Sequence, residues 1–209
     1  MPTAAILAGG RARRFDGQDK SALVVGGQTI LERQVSMLAE LTDDILIVGS
    51  RHPLPMNGSH TVVRQMTDRI PDCGPLGGLD AALSACRSEA LIVLACDMPF
   101  VSAPFLRHLT ALAAACPGVQ AVVPATKRGY HPLCAVYTRA CRPAVARHLA
   151  DRRLALVELL DVLNESGRGN LQVVNEAGLE VFGDPNRLLA NVNTPAEYEE
   201  LEALHDHRR

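Results

Sequence analysis

The chain has 209 residues, 47% hydrophobic and 21% charged, with a formal net charge of −2. That length suits a single domain spanning residues 1–209 with a substantial core, and the near-zero charge argues against nucleic acid or an anionic membrane surface as partner. No apolar run approaches the roughly 20 residues that cross a bilayer, and the chain turns polar and basic after Leu7 without forming a signal-peptide core, so a cytoplasmic protein is expected.

Residues 3–7 (TAAIL) read as a buried first strand. They run into LAGGRARRFDGQDK, where Gly9 and Gly10 let the backbone turn sharply and approach a ligand closely. Arg11, Arg13, Arg14 and Lys20 crowd the same loop against only two acids, Asp16 and Asp19. Exposed main-chain N–H groups with concentrated positive charge at a strand end suit a polyphosphate. The loop is not a P-loop, because Gln18 and Asp19 separate Gly17 from Lys20, and no GxGxxG fingerprint is present. A solvated basic turn without a ligand is the plainer alternative.

A helix is expected over 29–41, with Leu31, Val35 and Leu38 on one face, then strands over 45–49 and 61–64. Ser50 and Arg51 follow the first of these strands, and Asp68 comes shortly after the second. Asp68 could accept from a guanine N1–H and exocyclic amine, or be a plain surface acid. The stretch CGPLGGL, with Gly74 at its head, opens a helix over 76–86. Its glycines would let a base or phosphate lie against the backbone, or would serve only tight packing.

The run LIVLAC (91–96) leads straight into Asp97, and Pro99 stops the strand there. A carboxylate so placed could hold Mg²⁺ beside a phosphate, since Mg²⁺ takes few protein ligands and shares the rest with substrate and water; the alternative is an acid that closes a turn. A helix over 104–115 and strands over 120–124 and 133–137 follow, with His131 just before the last and read as a structural or surface histidine. NESGRGN (164–170) is the candidate mobile loop. In NVNTP, Thr194, Pro195 and Glu197 form a capping box at a helix start, which leaves Asn191 and Asn193 unexplained.

Short apolar runs alternating with amphipathic ones give an α/β fold: a single-domain Rossmann-like α/β/α sandwich with a mostly parallel sheet. Continuous apolar strands mean burial on both faces. In such sheets ligands bind outside the carboxyl ends of the strands, where Gly9, Gly10, Ser50, Asp68 and Asp97 fall. The six cysteines show no CxxC and no zinc-ligand spacing, so reduced, mostly structural thiols are expected. No Ser/His/Asp or Cys/His arrangement stands out, which argues against a covalent nucleophile.

Together, LAGGRARRFDGQDK, CGPLGGL, LACDMP, HPLCAVY and NVNTP resemble the molybdenum cofactor guanylyltransferase family of the nucleotidyltransferase superfamily, in order from residue 3 to about residue 198. The resemblance implies transfer of GMP from GTP to the phosphate of molybdenum-bearing molybdopterin, with release of pyrophosphate. It implies nucleotide contacts at Leu7, Ala8, Gly9 and Gly10, phosphate contact at Lys20, nucleotide binding at Asp68 and Gly74, and GTP and Mg²⁺ binding at Asp97. Asn191 and Asn193 match the family's asparagine pair, on the pterin side. Ser50-Arg51 stands where the family often has Asn-Arg, and Phe15-Asp16 replaces a frequent Met-Gly.

Both reactants are anionic, so catalysis should consist of positioning and charge neutralisation, with Lys20, Arg14 and Mg²⁺ on Asp97 facing the transition state. Proteins that supply the cofactor or mature molybdoenzymes are the implied partners. Two other readings stay open. One is a related enzyme using CTP, or one acting on another small phosphorylated acceptor. The other is a non-catalytic cofactor carrier, against which intact Lys20 and Asp97 argue.

Overall fold

The computed structural model describes residues 1–9, 24–25, 27–50, 61–67, 70, 72–167 and 169–206. The expected contacts at Gly10, Arg14, Lys20 and Asp68 lie outside the described residues, as does Arg51.

The first strand, β1 (Thr3–Leu7), is followed by a two-residue hairpin of β2 (Val24–Val25) and β3 (Gln28–Thr29), then α1 (Ile30–Leu38). Thr29 caps α1 and does not belong to it. Its hydroxyl accepts from the Glu32 N–H at 3.1 Å, and the Glu32 carboxylate accepts from the Thr29 N–H at 2.8 Å. β4 (Asp44–Val48), β5 (Val62–Met66), α2 (Gly74–Ala85), β6 (Ala90–Ala95) and α3 (Ala103–Ala115) come next. Each lies within a few residues of the range its apolar run predicts. β7 (Ala121–Thr126), β8 (Gly129–Tyr130) and β9 (Cys134–Thr138) follow, then α4 (Arg142–Ala150), α5 (Leu156–Glu165) and β10 (Leu171–Val174). Two short helices, α6 (Glu176–Glu180) and α7 (Pro185–Leu188), precede α8 (Pro195–Asp206).

The main sheet runs β10-β7-β9-β6-β1-β4-β5, with β8 attached to β7. β1 pairs in parallel with β4 and β6, β4 with β5, and β10 with β7, so the sheet is mostly parallel as expected. The exception is β9, antiparallel to both β6 and β7. An apolar run carries no direction. The reversal comes from the tight link through β8, where Gly129 at φ 103° turns the chain too soon for a helical crossover.

Successive strand residues feed two cores on opposite faces. Ala4, Ile6, Ile45, Ile47, Ile92 and Leu94 pack with α1 and α3. Ala5, Leu7, Leu46, Val48, Leu91 and Val93 pack with α2, α4 and α5. β1 is therefore buried along its length, and the three layers match the α/β/α expectation. All six cysteines are free. Burial pushes the Cys141 thiol up to about 12, which keeps it protonated at neutral pH. The stretch 164–170 is shared between the end of α5 and a turn at Gly167 and Gly169, both at positive φ, where the Asn170 amide donates to Ser166 Oγ at 2.8 Å.

Candidate active site

The carboxyl ends of β1, β4, β5 and β6 share one edge of the sheet because these strands run the same way. At that edge two backbones press together. Gly49 has φ 81°, and a Cβ built on it would sit 2.5 Å from the Gly9 Cα and 2.8 Å from the Gly9 N. No side chain fits there without the chain moving, so Gly9 and Gly49 are a matched pair. Hydrogen bonds carry the sheet past the strand ends. Ala8 N–H donates to Val48 O at 2.8 Å, Gly49 N–H to Met66 O at 2.9 Å, and Cys96 N–H to Leu7 O at 3.3 Å. The turn after β1 is thereby fixed against its neighbours on both sides.

Asp97 stands two residues past β6, partly exposed beside that turn. Its backbone carbonyl accepts from Val192 N–H at 2.7 Å, and its Oδ2 accepts from the Asn191 amide at 3.4 Å. The segment before α8 thus crosses the end of β6, bringing Asn191 to Asp97 across 94 residues of sequence. Asn193 turns the other way: its backbone N–H donates to Glu197 Oε2 at 2.7 Å. Thr194 Oγ1 accepts from Glu197 N–H at 3.2 Å. The expected capping box is thus shifted on one side, since the Glu197 carboxylate takes the Asn193 N–H.

Ser50 is 6% exposed at the same edge, and its carbonyl accepts from the Gln65 amide at 2.6 Å. Gly74, exposed at φ 54°, begins α2, whose N-cap residue Cys73 supplies no side-chain cap. An added Cβ at Gly74 would meet nothing within 4 Å, whereas one at Gly77 would come within 2.8 Å of the Cys73 Cβ. Packing accounts for Gly77 and leaves the conformation to account for Gly74. His131 sits in the turn before β9, its Nε2 3.1 Å from Thr126 Oγ1. Partial burial, helped by the Arg128 charge, holds its pKa below the ordinary histidine value.

Of the residues singled out from sequence, Leu7, Ala8, Gly9, Ser50, Gly74, Asp97 and Asn191 lie along this one edge. Gly49 and the backbone of Val192 escaped sequence reasoning. Gly49 ends the apolar run ILIVG and reads as part of a strand, although a glycine closing such a run is itself a signal of close approach. Among the described residues no group of three His, Cys, Asp or Glu side chains comes together. A multi-carboxylate cage is absent there. The donor set at Asp97, one partly exposed carboxylate with an amide alongside, suits a hard cation that shares its remaining positions with phosphate and water.

Residues 4–166 match the MobA-like NTP transferase domain family. The chain is 32% identical over 202 residues to the molybdenum cofactor guanylyltransferase of Desulfosudis oleivorans, covering 96% of this chain and 94% of that one. The crystal structure of molybdopterin-guanine dinucleotide biosynthesis protein A from Archaeoglobus fulgidus superposes with a TM-score of 0.74 at 22% identity, covering 98% of this chain and 99% of that one. A Mycobacterium tuberculosis protein solved in complex with manganese superposes with a TM-score of 0.63 at 18% identity, covering 95% and 96%. At these identities the two structures speak to the fold.

Proposed function

The chain belongs to the MobA-like NTP transferase family, and from that premise we propose that it transfers GMP from GTP to the phosphate of molybdenum-bearing molybdopterin, releasing pyrophosphate. The observation that carries this reading is the convergence at the carboxyl edge of the sheet, where Cys96, next to Asp97, bonds to Leu7 at the end of β1 and Asn191 bonds to Asp97. Relatives of this length and similarity are named molybdenum cofactor guanylyltransferases, the Desulfosudis protein among them, which supports this reading.

In this reading Leu7, Ala8, Gly9 and Gly10 pass along the nucleotide, and Ser50 backs them from the next strand. Gly74 and Asp68 receive the base. Lys20 and Arg14 draw negative charge from the triphosphate and from the departing pyrophosphate. Asp97 would hold Mg²⁺, and Asn191 and Asn193 would lie toward the pterin. The cation, when bound, would neutralise phosphate charge and polarise the bond to the leaving group.

The rest is positioning. The acceptor phosphate is already ionised at neutral pH, so it attacks the α-phosphorus without a general base, and the α–β bridging oxygen leaves with pyrophosphate. The Gly9–Gly49 contact keeps side chains out of the approach. Val192 and Asn191 hold Asp97 by hydrogen bonds to its carbonyl and its carboxylate. Among the described residues no helix is long and apolar enough to cross a membrane. A cytoplasmic setting belongs to the proposed reading. Partners that deliver the cofactor or mature the recipient enzyme belong to the same reading.

Isotope placement tests it. Label in the α-phosphate of GTP should pass to the dinucleotide product, and label in the γ-phosphate should leave in pyrophosphate. Label from the γ-phosphate in the product would mean phosphoryl transfer and overturn the reading.

A further inference from the structure

The turn that carries Asp97 is held from below by a side chain on another element. Gln34 lies on α1 with 2% of its surface exposed. It is the one polar residue in a buried stripe otherwise made of Ile30, Leu31, Val35 and Leu38. Its Nε2 donates to Ala95 O at 2.7 Å and to Met98 O at 3.1 Å, the carbonyls on either side of Cys96-Asp97. One amide nitrogen carries two N–H groups, and both partners are acceptors, so the nitrogen end of the amide is fixed by chemistry. The turn's own closing bond, Met98 N–H to Ala95 O, is long at 3.4 Å.

The same amide carries a cost. Gln34 Oε1 is buried and has no hydrogen-bond partner among the described residues. A buried acceptor left this way destabilises the fold, and Leu or Met would fill the stripe without it. A residue kept for packing alone would not have this shape. What the amide does accomplish is to tie both ends of the Asp97 turn to a rigid helix.

We propose that Gln34 is a positioning residue for Asp97: it sets the Ala95–Met98 turn so that the carboxylate meets the divalent cation and the nucleotide phosphates in register. The inference rests on the reading of Asp97 as the cation ligand. It adds that the geometry of this ligand is supplied from α1. A displacement of about 1 Å in such a group can cost on the order of a hundredfold in rate.

The test uses the full chain with Gln34→Met, which keeps the volume and removes both donors, and Gln34→Glu in parallel, which keeps the shape and sets oxygens against the two carbonyls. Asp97→Asn is the reference. Mn²⁺ binding in the presence of GTP is read by electron paramagnetic resonance, alongside kcat and KM for pyrophosphate release and the melting temperature. The expected result is a fall of about tenfold in Mn²⁺ affinity and in kcat, with KM for GTP within about threefold of the parent and a single cooperative melting transition in both Gln34 variants. Parental Mn²⁺ affinity and kcat in the Gln34 variants, with both lost in Asp97→Asn, would make Gln34 a packing residue and overturn the proposal alone. Parental Mn²⁺ affinity in Asp97→Asn would overturn the reading of Asp97 and this inference with it.

Discussion

An alanine at position 49 would need to place its Cβ 2.5 Å from the Gly9 Cα while holding φ at 81°. Strain and overlap add here, and Gly49→Ala should destabilise the fold by about 3 kcal/mol or more. Thermal unfolding checks this; a melting temperature equal to the parent's would mean that the two strand ends are not pressed together. Asp97→Asn keeps the shape of the side chain and removes its charge. It should lower guanylyl transfer by on the order of a hundredfold or more while leaving far-UV circular dichroism unchanged. At this scale the sequence was partly legible. Asp97 was visible because an acid ending an apolar run is unusual, and Gly9 because it follows a strand directly. Gly49 and Gln34 went unread: a glycine closing an apolar run and a lone polar residue in an apolar helical stripe are marks whose meaning depends on the spatial neighbour.

Among the elements, α8 is fastened to the site by rings and cations. The Phe100 and Tyr198 rings stack at 5.0 Å and 15°. The Arg187 guanidinium lies 4.3 Å from the Phe100 ring centre, and the Arg33 guanidinium donates to the Tyr198 hydroxyl at 2.7 Å. Phe100 follows Asp97 by three residues, so this stack joins α1, α7 and α8 around the Asp97 turn. Tyr198 is 3% exposed; Tyr198→Ala should cost about 3 kcal/mol, or roughly 10 °C in melting temperature. Turnover should fall with it through loss of the Val192 and Asn191 contacts to Asp97. An unchanged melting temperature would show that α8 is not held there. The helix start was legible in Thr194-Pro195, but the chemistry that docks it was not, because aromatic residues far apart in sequence carry no mark of stacking. α5 went unread although Leu156, Leu159, Leu160 and Leu163 make a regular helical stripe, whereas α4 leaves a fainter trace. α4 buries only Val145, His148 and Leu149, too sparse a stripe to stand out. β10 is a four-residue edge strand that needs β7 beside it to declare itself.

Across the whole molecule, one sheet divides two apolar cores, and the polar groups of the site gather at one end of it. The opposite end is closed by a separate network. Arg64 donates to both Asp44 carboxylate oxygens at 2.8 Å, and Thr3 Oγ1 donates to Asp44 Oδ2 at 3.2 Å. This network lies at the amino ends of β1 and β4 and tethers β5, so it serves stability. Asp44→Asn should lower the melting temperature and leave KM for GTP at the parental value. Acid should weaken the fold through His131. Its pKa in the fold lies below the ordinary 6.5, so the unfolded chain takes up the proton first as pH falls. The stability contributed above that value is lost on the way down through the folded pKa. Stability measured from pH 7.5 toward pH 5 should therefore decline, and His131→Gln should shrink the decline; an equal decline in both proteins would remove His131 from the account. The sheet was legible because doubly buried strands are continuous apolar runs, whereas the direction of β9 depended on a turn too short to leave a periodic trace.

On the proposed reading, this edge of the sheet selects GTP and passes its GMP to a phosphorylated molybdopterin. Pyrophosphate release measured with Mg²⁺ and molybdenum-loaded molybdopterin, comparing GTP, CTP and ATP against cofactor-free controls, tests it most directly. Release should require the loaded cofactor and be supported by GTP far better than by CTP or ATP. Preference for CTP, or release that ignores the cofactor, would contradict it.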